Sequence, residues 1–477
     1  MHNHELNNQT TLFELIARHE LAVQEGRTPY YQESVYHRLI DYYEREFLYE
    51  TALQVVEVAI KHYPFTVDFL LRKVHLSIFN NQIENALQTV DMAAALDPGS
   101  VDIKLHRSYI LAEIELFKES LNIIESLKHF NLQGEVLSTV YFYEGLVYER
   151  MEQFEQMYWS LEEAIKLDPE NDNALEKMWW CVERSAHYES SIRLHEWVVK
   201  VKPFSFWGWF NLANALEYCC EYEKAVEAYE FALVINENSE IAYRQCAEVY
   251  FNMMKYEEAL KHYEDVLQRF DPDSDILVRV AMCNIKLGKI APAKKYLMMA
   301  EEEDDYNDEV FYHLGLCYAA EQKWQKAIHY FRQAIRIESG REEYYRGLAE
   351  AWQNAGNIEK AEKFFRKAAV TGPEFAENWI AYAGFLKNNN RHEEALQILM
   401  EAEECIDDTS LKYCRVGCLM AMTRCGEALY FLGEALDENF EQNNFLFEFE
   451  PALRENEQIR SAISAYHRTF STSIPKE

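Results

Sequence analysis

Glycine and proline are scarce in this chain of 477 residues, which contains only 15 glycines and 10 prolines. So few glycines leave little material for the glycine-rich loops that hold phosphate groups in many enzymes. Hydrophobic residues make up 49% of the sequence and aromatic residues 14%, so there is ample apolar surface to bury. This composition predicts a folded and mostly helical protein.

Positive charge is also in short supply. Lysine and arginine total 47 against 81 aspartates and glutamates, so the formal net charge is 47 − 81 = −34. Such a charge repels the phosphate backbone of nucleic acids, and nucleic acid is therefore not an expected partner. Two interpretations of the charge stay open, a solubilised surface and an attraction toward a basic protein partner.

The sequence shows no disulfide framework, export signal or membrane span. Its ten cysteines are scattered without regular spacing, which fits reduced thiols in a chain too large to depend on disulfides. The first eight residues have neither a basic nor an apolar signal region, and no later stretch approaches 18 uninterrupted apolar residues. We therefore expect a cytoplasmic protein without membrane contact.

Enzyme motifs are missing as well, since the chain contains no GxGxxG, Walker, GxSxG or HExxH pattern. The acidic run at residues 301–305 lies at a predicted helix end, where solvated carboxylates are the simplest interpretation. Cys414 and Cys418 could share one helical face with Cys425 nearby, but they lack a fourth ligand of matching spacing. We predict no catalytic residue, no metal site and no cofactor.

Small residues recur at a fixed interval of 34 positions. Because closely packed helices need small side chains at their contacts, two such series in phase predict a repeating pair of helices. One series comprises Ala225, Ala259, Ala293, Ala327, Ala361 and Ala395. The other comprises Gly145, Ala213, Ala247, Ala281, Gly315, Ala349, Ala383 and Gly417, with Trp179 in the one skipped place.

Prolines mark the boundaries between these helix pairs. Pro64 and Pro98 are 34 residues apart, as are Pro169 and Pro203, and Pro373 lies five periods beyond Pro203. Proline cannot continue a helix, so each of these positions marks a helix end followed by a turn.

The combined pattern resembles the tetratricopeptide repeat, which carries an aromatic at its fourth position, Gly or Ala at its eighth, and Ala at its twentieth and twenty-seventh. The unit from Asp308 matches most fully, with Phe311, Leu314, Gly315, Tyr318, Ala327, Phe331 and Ala334 in place. The resemblance implies an all-α fold, a right-handed superhelical solenoid of about 11–12 tandem antiparallel helix pairs.

The repeat phase divides the chain into three parts. Residues 1–32 are predicted to form a tail and a capping helix, residues 33–443 the repeat array, and residues 444–477 a second capping helix, from Pro451 to Tyr466, and tail. The third unit is three residues longer than the period, and the twelfth shortens its first turn, so that Ala428 falls one place early. The predicted units start at Glu33, Val67, Val101, Ser138, Asp172, Phe206, Glu240, Ser274, Asp308, Glu342, Ala376 and Ser410.

The family resemblance implies that the second, fifth, ninth and twelfth residues of each first helix line a concave groove; we call these the groove positions. They share one helical face. Trp179 and Trp209 fall at structural places and are expected in the core. The lysine and asparagine clamp with which some family members hold a chaperone carboxylate is absent. The candidate peptide-binding residues are Phe142, Trp180, Trp207, Phe210, Asn214, Arg244 and Phe251.

The function predicted from these features is a non-catalytic scaffold or adaptor that binds a peptide or helix of a partner protein in its groove. The expected partner is another protein, not nucleic acid or a membrane, and a basic segment follows from the second of the two interpretations of the charge. The scaffold is expected to be a monomer. Two alternatives stay open: a helical-repeat protein that binds single-stranded RNA, and a regulatory subunit of an enzyme complex. The acidic charge argues against the first, and no residue can be nominated for the second.

Overall fold

The computed structural model describes residues 2–271 and 273–473, and within these ranges every regular element is helical. None of the helices there is long and apolar enough to cross a membrane. Contacts between residues divide the chain into two compact units, residues 1–249 and residues 250–477. These findings confirm the predicted all-α fold of tandem helix pairs.

The first unit is built from thirteen complete helices in the part that the structure describes, and the division falls within the next one, α14 (Glu240–Asn252). The helices are α1 (His2–Gln24), α2 (Glu33–Arg45), α3 (Tyr49–His62), α4 (Val67–Phe79), α5 (Ile83–Leu96), α6 (Val101–Glu113), α7 (Phe117–Lys128), α8 (Gly134–Arg150), α9 (Phe154–Leu167), α10 (Asp172–Ser185), α11 (Tyr188–Val201), α12 (Phe206–Tyr218) and α13 (Tyr222–Ile235).

The second unit continues with helices of the same lengths and then ends differently. Its helices are α15 (Tyr256–Arg269), α16 (Ser274–Lys286), α17 (Ile290–Glu303), α18 (Asp308–Ala320), α19 (Trp324–Ile337), α20 (Glu342–Asn354), α21 (Ile358–Thr371), α22 (Ala376–Asn388), α23 (His392–Cys405), α24 (Thr409–Ala421), α25 (Cys425–Glu438), α26 (Asn444–Phe449) and α27 (Glu457–Ser473). The helix expected from Pro451 begins at Glu457 instead, because Pro451–Glu455 form a 3-10 turn and Asn456 Oδ1 caps α27.

The alanine series explains why neighbouring helices pack so closely. Each of its six members, from Ala225 to Ala395, is fully buried. At Gly315 on α18 the approach is closer still, since a β-carbon built there would lie 2.6 Å from the Phe331 ring of α19. Small side chains at these places let the two helices of a pair meet along their length.

A left-handed backbone residue closes the turn between the two helices of each pair. The residues concerned have φ between 55° and 81°, and they follow the 34-residue period apart from the long third unit and the short twelfth. Only two of them are glycines. The positions are Phe47, Asn81, Glu115, Glu152, Ala186, Cys220, Met254, Gly288, Gln322, Gly356, Asn390 and Thr423.

One helix pair departs from the regular packing. Helices α10 and α11 make few contacts with each other, whereas α10 packs more extensively on α12. Trp179 stands on α10 where other pairs have Gly or Ala, and its indole packs against Phe210 of α12. Asn211 of α12 contacts both helices of the pair, since its Nδ2 donates to the Leu175 carbonyl of α10 at 2.7 Å and lies 3.3 Å from His195 Nε2 of α11.

The long third pair keeps its core in a different way. Ser108 on α6 and Ser120 on α7 are fully buried where the repeat usually has small apolar residues. Their hydroxyl oxygens are 2.8 Å apart, and each hydroxyl also reaches the other residue's carbonyl, so no polar group is lost to burial. The extra residues extend α8 backward to Gly134, four residues before the predicted start.

Candidate functional site

Three of the seven predicted groove residues lie along the edge of one hydrophobic core. Phe142, Trp180 and Trp207 are partly buried and pack against the same buried cluster, which includes Leu175, Met178 and other residues of α9, α10 and α11. Their rings therefore combine an apolar backing with an accessible surface. Partly exposed indoles of this kind are frequent binding hot spots.

Trp180 has a second aromatic ring and a cation beside it. The Phe154 ring meets it edge to face, with ring centroids 5.3 Å apart. The Arg184 guanidinium lies 5.3 Å from the Trp180 ring centre and 5.9 Å from that of Phe154. Arg184 is one helical turn after Trp180, so α10 itself holds this cation over the indole.

Trp207 lies near the start of α12, among aromatic residues. Its ring centroid is 5.0 Å from that of Phe206 and 5.5 Å from that of Phe210. Ser205 caps the helix by accepting a hydrogen bond from the Gly208 amide at 3.1 Å, which fixes the direction in which the helix begins. The indole is thus held by packing on one side while part of its surface is accessible.

The expectation that Phe210 and Asn214 are available to a ligand was wrong. Phe210 is fully buried, because Trp179, Trp207 and Tyr229 surround its ring at centroid distances of 5.5–5.9 Å. Asn214 is 5% exposed and lies one helical turn after Phe210. Both residues therefore belong to the buried core.

The remaining two candidates are separated by the division of the chain. Arg244 on α14 is partly buried and is held by Glu240, with its Nε 2.8 Å from Glu240 Oε1. Phe251 belongs to the second unit, where its ring lies 5.3 Å from that of Tyr256. Neither residue is joined to Trp180 or Trp207 by a described contact.

The two tryptophans expected in the core are only partly buried. Trp179 meets Phe210 edge to face at 5.9 Å. Trp209 stacks on Phe231 at 4.6 Å, and its Nε1 donates to the Pro203 carbonyl at 2.8 Å. Trp379, five periods later, repeats this bond with the Pro373 carbonyl at 2.9 Å. This recurrence assigns the tryptophan to the structure of the turn.

One groove position, the twelfth residue of the repeat unit, holds a glutamate in three successive units. Glu149 on α8 accepts from Lys177 at 2.8 Å, while Glu183 on α10 is exposed beside Tyr218. Burial raises the pKa of Glu217 on α12 to about 7, although its bond from Tyr229, at 3.3 Å, opposes that shift, and nearby Glu248 adds to it. A cation placed beside Glu217 would favour its charged form.

Among the side chains that the structure describes, no group of three His, Cys, Asp or Glu could hold a metal ion. His195 is fully buried, and burial lowers its pKa to about 4. Its Nδ1 lies 2.8 Å from the Ser191 carbonyl. Burial likewise raises the pKa of Cys418 to about 12, so this thiol stays protonated at neutral pH.

A model of the tetratricopeptide repeat family matches residues 138–171, which form α8 and α9. The chain therefore contains a tetratricopeptide-type repeat. A second family model, described as the fifth ARM repeats domain of TT21, matches residues 240–345. A search of curated proteins found no significant match.

Solved structures of tetratricopeptide-type proteins are similar to parts of the chain. One from Parabacteroides merdae is 14% identical with a TM-score of 0.42, covering 51% of this chain and 97% of that one. The Cut9–Hcn1 hetero-tetramer of the APC/C is 12% identical with a TM-score of 0.38, covering 82% of this chain and 95% of that one. YrrB, described as a TPR protein with an unusual peptide-binding site, is 23% identical with a TM-score of 0.33, covering 39% of this chain and 95% of that one. These TM-scores are too low to indicate a ligand for this chain.

Phe154 and Arg184 contact the Trp180 indole, and sequence reasoning missed both. Arg184 lies four residues after Trp180, a spacing that places two side chains on one helical face, so the sequence contained a usable signal. Phe154 starts the second helix of the preceding pair, outside the four groove positions. Its contact with Trp180 depends on how two successive pairs stack, which no local pattern encodes.

Proposed function

We propose that this protein is a non-catalytic interaction scaffold whose first unit binds a basic segment of a partner protein at Trp180 and Trp207. The observation that carries the proposal is the position of these two indoles. Each is partly exposed, yet each packs on the same buried cluster. Indoles held in this way lose little conformational freedom when a ligand covers them.

The basic character of the ligand follows from the acids at the neighbouring groove positions. Glu183 is exposed, and Glu217 has a raised pKa because it is buried near another carboxylate. A lysine or arginine of the partner would pair with Glu183 and favour ionisation of Glu217. The same cation can rest on the Trp207 indole, whose face attracts positive charge, since Arg184 already lies over the Trp180 ring. The overall charge of −34 adds long-range attraction toward such a partner.

The proposal is tested by affinity purification and mass spectrometry with the full chain. Trp180→Ala combined with Trp207→Ala should reduce the recovery of the partner at least about tenfold, because truncated hot-spot tryptophans typically lose more than 2 kcal/mol. Trp159→Ala is the matched control, since Trp159 is 45% exposed on α9 against Tyr158 and His187. It should leave recovery unchanged.

If the folded double variant still recovers every partner at the wild-type level, this groove assignment is wrong. Circular dichroism establishes that the variant is folded. If the partner is basic, raising the salt concentration from 0.05 to 0.5 M should weaken its binding, since exposed charges are screened. Binding that does not change with salt would remove the charge part of the proposal.

We also propose that the protein is a monomer in a reducing compartment such as the cytoplasm. The ten cysteines are thiols rather than disulfides, and several are fully buried, including Cys181, Cys246 and Cys283. Size-exclusion chromatography with light scattering at several concentrations tests this directly. A constant mass of about 56 kDa is expected, and a mass near twice that value would contradict it.

A further inference from the structure

The last two repeat pairs hold a segment of the chain itself on their groove positions. The short helix α26 packs on α24, and its Leu446 and Phe449 are buried. A cavity of about 510 Å³ lies between this segment and the helices. Its lining includes all four groove positions of α22 and one of α24, namely Glu377, Ile380, Gly384, Lys387 and Cys414.

Phe449 enters a space that two glycines leave open. A β-carbon built on Gly417 would lie 2.9 Å from Cδ1 of the Phe449 ring, and one built on Gly384 would lie 3.8 Å from its Cε2. Gly417 belongs to the small-residue series on α24, and Gly384 is the ninth residue of its pair. The ring is thus received where the two helices present backbone rather than side chains.

Lys387 contacts this segment in three ways. Its ammonium group lies 4.6 Å from the centre of the Phe449 ring, pairs with the Glu450 carboxylate at 3.2 Å, and donates to the Phe449 carbonyl. The lysine side chain is only 11% exposed, so these contacts are made largely away from water. A single side chain therefore recognises an aromatic ring, a backbone carbonyl and an acid in adjacent residues.

We propose that this pocket is a second recognition site of the protein, specific for a partner segment in which a phenylalanine is followed by a glutamate. Residues 444–451 occupy it in cis by presenting that same pair, Phe449 and Glu450. The site differs from the groove of the first unit, which offers acids to a basic ligand. Here the charged recognition group is a lysine, and the ligand is acidic.

The segment at residues 444–451 fills only part of the cavity, so a partner segment can compete with it for the site. Phe445 and Glu448 border the cavity but are exposed, at 37% for Phe445. Only Leu446 and Phe449 are deeply inserted. A tethered segment acts at roughly millimolar effective concentration, so it excludes weak ligands and yields to a partner that fills more of the cavity. This arrangement selects for partners that make contacts beyond the phenylalanine and glutamate.

The test uses full-length variants and a fluorescent peptide with the sequence of residues 443–452. Phe449→Ala should release the cis segment, so this variant should bind the peptide at least about tenfold more tightly than the wild type does. Adding Lys387→Met should then weaken peptide binding about tenfold or more, because the ring and carboxylate contacts are lost together. Lys412→Met is the matched control, since Lys412 on the neighbouring helix pairs with Glu438 instead.

A folded Phe449→Ala variant that does not bind the peptide would overturn the proposal, as would equal binding after Lys387→Met. The proposal would also be overturned if the wild type formed concentration-dependent dimers and Lys387→Met abolished them, because the pocket would then bind a second copy of the chain. If Phe449→Ala does not fold, hydrogen exchange of the Lys387→Met variant tests the proposal instead. Amides of residues 444–450 should exchange at least about tenfold faster than in the wild type, while those of α24 should not change. Unchanged exchange in both segments would refute the role of Lys387.

Discussion

Phe210 and Trp207 lie three residues apart on α12, yet only the tryptophan keeps an accessible surface. Their spacing places both on one helical face, so the groove positions alone could not separate them. What separates them is Trp179, whose indole replaces a small residue and packs against Phe210. A large residue in a small-residue place redirects its neighbours. The sequence showed this substitution, but its consequence depends on packing between pairs.

Glu217 provides a prediction at the scale of one carboxyl group. Its pKa in the folded protein is raised from 4.5 to about 7, so the folded state binds more protons than the unfolded state between these values. The free energy of unfolding must therefore fall as pH rises through this window. Glu217→Gln removes this pH dependence. As pH rises from 5 to 8, the free energy of unfolding of the wild type should therefore fall by about 2 kcal/mol more than that of the variant.

Urea denaturation at the two pH values measures this difference. Glu223→Gln, at an exposed glutamate of the adjacent α13, serves as the control and should follow the wild type at both pH values. If Glu217→Gln follows the wild type as well, the Glu217 carboxyl group is not held in its neutral form by burial, and its role beside a bound cation would have to be revised.

At the scale of elements, the turn between the two helices of each pair requires a left-handed residue whatever the sequence supplies. The period placed these turns correctly because small residues and prolines fix the helices on either side. It did not reveal the backbone conformation, since only two of the twelve positions hold glycine. Thr423 is the least suitable of the twelve, because branching at its β-carbon crowds the backbone at a φ of 58°.

Thr423→Gly should therefore stabilise the second unit by about 1 kcal/mol, as relief of left-handed strain exceeds the entropy cost of glycine. Asn390→Gly is the matched control, since Asn390 has a φ of 61° and asparagine tolerates this conformation. Both residues are exposed and lie in equivalent turns. Thermal unfolding followed by circular dichroism compares them, and a lower melting temperature for Thr423→Gly would contradict the assignment of strain.

The end of the array shows what periodicity cannot predict. Residues 444–450 follow the last repeat and have no partner in the 34-residue pattern, so no helix was predicted there. The structure forms α26 because Leu446 and Phe449 find an apolar surface on α24, and Lys387 holds the turn that follows. That surface exists only after the preceding helices have packed. A local pattern could not have indicated it.

At the scale of the whole molecule, repetition is the reason why so much of the fold could be predicted. Each pair buries its apolar face against its neighbours, so one rule applied along the chain accounts for the helices of both units. The proposed binding residues were harder to predict, because they lie where the repeat rule changes. Trp179 interrupts the small-residue series near the first proposed site, and the array ends at the second. The division into a repeat array with two capping segments remains a prediction.

The most direct test of the central claim is site-specific crosslinking in cells. A photoreactive benzophenone amino acid is placed at position 180, 207 or 159 of the full chain, and crosslinked peptides are identified by mass spectrometry. Positions 180 and 207 should capture the same protein through a segment rich in lysine or arginine, while position 159 should not capture it. Equal capture from position 159, or a captured segment that is acidic, would contradict the proposal that the groove of the first unit binds a basic partner.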